Sequence, residues 1–305
     1  MIMKKKISLL GFVVVVAFAK AQPSQYFMQR SSTNVASMSE IQNLQVFLSG
    51  THSFVGFEGS PKSILLNVAV PIAGNRRAGN YQKQKKSKYG EPGFAKNFVG
   101  GTLSNETFGI HFNFQTSFGY AYRFWLSERA NLTLGLSAGM KQTGSNYDKI
   151  KDGYSPIQSN KETDFLFQFG SRFEMNKLSI SAFGNENNLC GEIVFGRLWD
   201  YGATETSQNY YYEDKQKAWY GQLSAMYTHN KGSKTNLFRF SVNAVYRDGL
   251  CVGISYQTNK DLSANVGLRF TKSLRIGYAY GLLQLNPVAP KHEIALRYRL
   301  VRDVD

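Results

Sequence analysis

Phe108-Gly109-Ile110-His111-Phe112-Asn113-Phe114-Gln115-Thr116-Ser117-Phe118-Gly119-Tyr120-Ala121-Tyr122-Arg123-Phe124 is the stretch that decides the fold. Phe108, Ile110, Phe112, Phe114, Phe118, Tyr120, Tyr122 and Phe124 share one parity. Gly109, His111, Asn113, Gln115, Ser117, Gly119, Ala121 and Arg123 share the other. A period of two sets the aromatic residues on one face of a strand and the small or polar residues on its back. The run is far longer than the usual soluble strand of about 5–6 residues. Lipid on one side and a polar lumen on the other produce this pattern.

The amino terminus gives the compartment. Lys4, Lys5 and Lys6 precede an apolar core at 7–19, and Ala19-Lys20-Ala21 supplies small residues at the two cleavage-site positions. This reads as a secretory signal over residues 1–21, followed by one domain over 22–305. No Cys follows the cut, so no lipid anchor is expected there. No later run reaches the length of about 20 apolar residues that a spanning helix needs. A chain of this kind enters a membrane only as a closed barrel, because unpaired backbone groups are too costly in lipid.

Composition agrees with a barrel. Aromatic residues make up 14% and hydrophobic residues 42%, while mean hydropathy is negative, as outward apolar and inward polar positions average out. The formal net charge is +15, part of it in the signal. In an exported protein that charge points to anionic outer-membrane lipids or an acidic partner rather than to nucleic acid. A disulfide between Cys190 and Cys251 fits an oxidising compartment, but two isolated strand cysteines fit buried thiols better.

The alternation predicts an all-β fold, a transmembrane antiparallel up-and-down barrel of about fourteen strands. Their approximate spans are 43–51, 62–71, 97–106, 108–125, 130–143, 163–174, 177–186, 189–199, 216–228, 236–247, 249–258, 261–270, 272–283 and 289–300. Short polar connectors follow strands four, six, ten and twelve, and Asp248-Gly249 is a tight-hairpin signal. Short turns after even strands suit a barrel whose amino terminus lies in the periplasm. A soluble sandwich or jelly roll would also alternate. It would have to bury many Arg and Gly in a dry core, and the chain shows no long crossover.

Two even connectors are long. The one at 72–96 carries Arg76, Arg77, Lys83, Lys85, Lys86, Lys88 and Lys96 among glycines. It reads as a solvated loop or as a docking surface for an acidic periplasmic partner. The one at 200–215 holds Tyr201, Tyr210, Tyr211 and Tyr212, which suit a membrane-interface belt or a contact patch.

By parity, Arg269, Arg275, Glu293, Arg297 and Arg299 face the lumen. They form either a ladder that stiffens the wall or a basic wall that holds a plug or an acidic cargo segment. Chemistry is sparse elsewhere. His52, His111, His229 and His292 lack partners at metal-ligand spacing, and no nucleophile elbow or phosphate loop is present. His111 and His292 are read as lumen hydrogen-bonding residues. No metal, cofactor or catalytic residue is predicted, and a lipid hydrolase is the weaker enzymatic alternative.

Three motifs resemble the PorP/SprF family of type IX secretion outer-membrane proteins. The first is Phe54-Val55-Gly56-Phe57-Glu58-Gly59-Ser60-Pro61-Lys62. The second is Ser117-Phe118-Gly119-Tyr120-Ala121-Tyr122-Arg123 with Leu132-Thr133-Leu134-Gly135-Leu136-Ser137-Ala138-Gly139. The third is Leu274-Arg275-Ile276-Gly277-Tyr278-Ala279-Tyr280 with His292-Glu293-Ile294-Ala295-Leu296-Arg297-Tyr298. Arg30-Ser31 stands where the family often has Asn-Pro, and Leu300 stands where members tend to end on an aromatic residue.

The resemblance implies a non-enzymatic role in the Bacteroidetes outer membrane. That role is export or surface attachment of cargo, such as a gliding adhesin, through the cargo's C-terminal sorting domain. It also implies contact with type IX secretion components or a peptidoglycan-linked periplasmic protein. Val55, Gly56, Phe57, Glu58, Gly59, Pro61 and Lys62 are the candidate cargo-facing loop. A passive porin is the runner-up.

Overall fold

In a computed structural model, the described residues are 26–41, 43–53, 59–72, 95–127, 130–146, 160–175, 177–201, 219–246, 249–258, 261–271, 273–283 and 291–300. Among them a helix, α1 (Tyr26–Thr33), and a 3-10 turn (Val35–Glu40) precede fourteen strands. These are β1 (Gln45–Ser53), β2 (Lys62–Ile72), β3 (Asn97–Phe108), β4 (His111–Ser127), β5 (Ala130–Ser145), β6 (Lys161–Met175) and β7 (Leu178–Asn185). They continue as β8 (Asn188–Tyr201), β9 (Trp219–Asn230), β10 (Thr235–Tyr246), β11 (Leu250–Gln257), β12 (Asp261–Arg269), β13 (Leu274–Leu283) and β14 (Lys291–Arg299).

Each strand pairs antiparallel with its sequence neighbours, and β1 closes on β14 from Gln45–Arg299 to Ser53–Lys291. Closure leaves no unpaired edge, the one β arrangement that lipid tolerates. An even strand number brings Gln45 and Arg299 to the same end, here called the terminal end.

The predicted alternation sorts side chains to the two faces. On β4, Phe118, Tyr120 and Phe124 are exposed while Gly119, Ala121 and Arg123 are buried. On β14, Ile294 and Leu296 face out, whereas Glu293 and Ala295 are fully buried. Cys190 and Cys251 are buried free thiols.

The opening stretch is not one strand. β3 runs to Phe108, Gly109-Ile110 make a two-residue turn, and β4 begins at His111. Phe108 lies opposite His111, so the two share a side of the sheet and Phe108 leaves the outward set. A tight hairpin reverses which parity faces outward, and an aromatic run that crosses it hides the reversal.

The four short connectors after β4, β6, β10 and β12 lie at the terminal end, as expected. The far end has tight turns too, at Gly109-Ile110, Glu186-Asn187 and 231–234. Turn length therefore does not by itself distinguish the two ends.

Candidate functional site

The site lies inside the barrel and is built largely by a segment that shows no strand pattern. Residues 26–41 fold into the lumen. Met28 packs with Phe47 and Ala295, while Val35, Met38 and Ile41 pack with Ala69, Phe98 and Ala121. The 3-10 turn is set by Asn34, an extended N-cap residue whose side-chain oxygen accepts a hydrogen bond from the Ala36 N–H at 3.0 Å. Its last turn closes where the Ile41 N–H donates to the Met38 carbonyl.

The wall opposite this turn is made small to receive it. Gly100, Gly119, Gly135 and Gly170 come from the four consecutive strands β3 to β6. A Cβ at Gly100 would sit 2.6 Å from Met38 Sδ, and one at Gly135 would sit 2.7 Å from Val35 Cγ1 and 2.9 Å from the Ala36 nitrogen. Glycine here provides close backbone approach.

Charged groups lock the segment in place. Arg30 reaches Glu40 at 3.2 Å and Glu192 on β8 at 3.6 Å. Arg172 on β6 reaches Glu40 at 2.5 Å and Glu174 at 2.8 Å, and donates to Ser37 Oγ at 3.3 Å. Arg123 donates to the Ser39 carbonyl, its guanidinium lying 5.0 Å from the centre of the Phe98 ring. Ser31 donates to Asn67 on β2 at 2.9 Å.

Burial alone would raise the pKa of the Glu40 carboxyl. Arg172 and Arg30 outweigh it and hold the group below its usual value. Arg30 and Ser31 thus both contact the wall through polar groups.

The predicted lumen residues divide into two sets. Arg269, Arg275, Arg297 and Arg299 gather around one cavity of about 270 Å³ at the terminal end. Glu293 is inward too, but four residues along β14, where it interacts with Lys291 near Asp261 and Arg239.

His111 faces inward and meets Ser145 Oγ at 2.7 Å. His292 does not. It shares parity with the outward Ile294 and Leu296, and its Nδ1 lies 2.7 Å from the exposed Tyr278 hydroxyl. The lumen placement of His292 is therefore corrected to the outer face; the even positions of β14 all point that way.

Of the candidate cargo-facing loop, Val55, Gly56, Phe57 and Glu58 lie outside the described residues. Gly59, Pro61 and Lys62 are seen at the far end. Gly59 has φ +72°, and its carbonyl accepts from the Gly109 N–H at 2.8 Å. Ser53 N–H donates to the Pro61 carbonyl at 3.0 Å, and His52 Nε2 lies 2.8 Å from Ser60 Oγ. The loop base is thus fastened to the neighbouring β3–β4 turn.

Alanine at 59 would adopt a disfavoured left-handed backbone with its Cβ 3.1 Å from Gly109 Cα. Gly59→Ala is expected to cost about 1–2 kcal/mol locally. Faster limited proteolysis at 54–62 with little change in barrel melting would show it; unchanged cleavage would refute it.

Arg76, Arg77, Lys83, Lys85, Lys86, Lys88 and Tyr210, Tyr211 and Tyr212 lie outside the described residues.

The family model for "Type IX secretion system membrane protein PorP/SprF" matches residues 15–298. No curated protein matches. Among solved structures, Omp33 of Acinetobacter baumannii is similar at 6% identity and TM-score 0.49, covering 85% of this chain and 99% of that one. An engineered variant of the Rh. blastica porin follows at 8% identity and TM-score 0.36, covering 84% and 98%. The KdgM porin has 8% identity and TM-score 0.35, covering 84% and 99%. The closed barrel with its aromatic outward face is an outer-membrane architecture, and the family match extends over nearly the whole chain. This protein belongs to the PorP/SprF family of type IX secretion system membrane proteins.

Proposed function

We propose that this barrel is a non-enzymatic subunit that anchors or helps export a secreted surface protein, such as a gliding adhesin. It holds the cargo's C-terminal sorting domain at the far end, which faces outward, with the 54–62 loop as the contact. The periplasmic side carries the basic 72–96 connector, which meets a type IX secretion component or a peptidoglycan-linked protein.

The observation that carries this reading is the lumen segment. A porin needs an open path, yet here residues 26–41 lie in the lumen and are tied by Arg30, Arg123 and Arg172. A lumen occupied in this way suits a scaffold with two ends better than a pore.

Affinity purification from native membranes tests the proposal. A sorting-domain protein should co-purify and be lost on Glu58→Arg with Lys62→Glu. Reversal of Lys83, Lys85, Lys86 and Lys88 to Glu should weaken recovery of the periplasmic partner at least tenfold while cargo is retained. Wild-type recovery from both variants would sink the reading, and large steady conductance by the unmodified protein would favour the porin. His52 and Ser60 are within hydrogen-bond reach, so lipid hydrolysis that vanished on His52→Ala would overturn the non-enzymatic assignment.

A further inference from the structure

The four lumen arginines are placed in a way that the wall alone does not require. Arg269 on β12 lies directly opposite Arg275 on β13, and Arg275 lies opposite Arg297 on β14. Like charges at directly opposed positions destabilise a sheet. Arg299 is the next inward residue on β14, and its Nε donates to Gln45 at 3.2 Å. All four line the same cavity of about 270 Å³, and Glu40 of the lumen segment, which lies close enough to act on Arg297 and Arg299, is already held by Arg30 and Arg172.

We propose that this cavity is an oxyanion site that takes the carboxylates of an acidic peptide segment entering from the terminal end. Access comes first. The apolar side of the 3-10 turn packs against β2 to β6, and the cavity lies along β9 to β14, with Glu40 at the end of the turn reaching toward its Arg297 and Arg299 side. Ser273, in the β12–β13 turn at the terminal end, is part of its rim; its carbonyl accepts from the Arg299 N–H at 2.8 Å.

Scale comes second. Neighbouring strands are about 4.8 Å apart, so Arg269 and Arg297 are separated by about 10 Å, and Arg299 adds about 7 Å along its strand. Charges spread that widely match several carboxylates on an extended chain better than one small ion. Guanidinium forks grip carboxylates in a bidentate fashion, and a low-dielectric wall focuses their field. Val245, paired with the buried Cys251 on the inner face, gives an apolar surface for the residues between the acids.

The site is at the opposite end from the 54–62 loop, so it stands or falls independently of the cargo reading. The test uses the full-length barrel in detergent with a fluorescent Asp-Ser repeat peptide of six residues. An Asn-Ser peptide and inorganic phosphate are the comparisons.

The expected result is salt-sensitive binding of the acidic peptide, no binding of the Asn-Ser peptide, and little displacement by phosphate at equal concentration. Arg275→Gln with Arg297→Gln should weaken binding at least tenfold without lowering the melting temperature, since it relieves a repulsion. Three outcomes would overturn the proposal. Phosphate could displace the peptide at equal concentration, which marks a small-ion site. The double variant could bind as well as wild type, while reversal of Lys83, Lys85, Lys86 and Lys88 abolishes binding, which moves the site to the connector. Asp303→Asn with Asp305→Asn could raise affinity a hundredfold, which makes the chain's own tail the occupant.

Discussion

Gly135→Val will drive the 3-10 turn off the barrel wall and open the filled part of the lumen. A Cβ at 135 would lie 2.7 Å from Val35 Cγ1, 2.9 Å from the Ala36 nitrogen and 3.0 Å from the Val35 carbonyl carbon. Two of the three are backbone atoms of a capped turn and cannot swing aside. Overpacking of this kind costs about 1–3 kcal/mol even where a core can adjust.

The turn has another way to relieve the strain, which is to leave. Leaving exposes Val35, Met38 and Ile41, worth about 1.5–3 kcal/mol each when fully buried, so displacement needs a large clash and valine supplies one. Single-channel conductance in planar bilayers should rise several-fold over wild type, and a protease should cut within 26–41. Gly50→Ala is the control, because nothing lies within 4 Å of a Cβ there. Wild-type conductance and protection in Gly135→Val would mean that the turn does not rest on this glycine.

The barrel was legible because fourteen strands each repeat the same two-sided pattern, so an error in one does not spread to the rest. Two local readings failed for physical reasons. The Phe108-to-Phe124 run crosses a hairpin whose glycine takes φ +58°, and a tight turn changes which residues share a face. His292 sits at an even position beside Ile294, so strict counting along β14 puts it outside.

The lumen segment was not foreseen, because residues 26–41 have no period of two. They do carry a trace of their structure: Val35, Met38 and Ile41 recur every third residue, the repeat of a 3-10 turn. Gly100, Gly119, Gly135 and Gly170 stand at inward positions of consecutive strands, where a hydrated lumen would accept larger polar residues. Only the folded chain shows that the two signals fit each other. The arginine wall was legible by parity, but its division from Glu293 depends on strand register, which alternation does not give.

Arg172→Met should loosen the same segment by a different route. Arg172 is buried and holds Glu40 at 2.5 Å, Glu174 at 2.8 Å and Ser37 at 3.3 Å. Removing one partner of a buried ion pair costs about 3–5 kcal/mol because the remaining charge stays uncompensated. Glu40 and Glu174 keep 31% and 26% of their side-chain surface open, so the lower end, about 3 kcal/mol, is the appropriate figure.

Adding Glu40→Gln should recover part of that loss, since the double variant removes the stranded charge as well. Acid acts on the same contact. The pKa of Glu40 is lower in the folded protein than its usual 4.5, because Arg172 and Arg30 outweigh burial. Its contribution is therefore complete above pH 4.5 and fades as the pH falls through the folded value. Protease protection of 26–41 should stay flat from neutral pH to about pH 5 and decline only below it. In Arg172→Met the strongest opposing charge is gone and less offsets burial, so the carboxyl moves upward and the decline should begin at higher pH. An unchanged onset would show that Arg172 does not hold Glu40, and that apolar packing on the glycine floor is enough to keep the lumen filled.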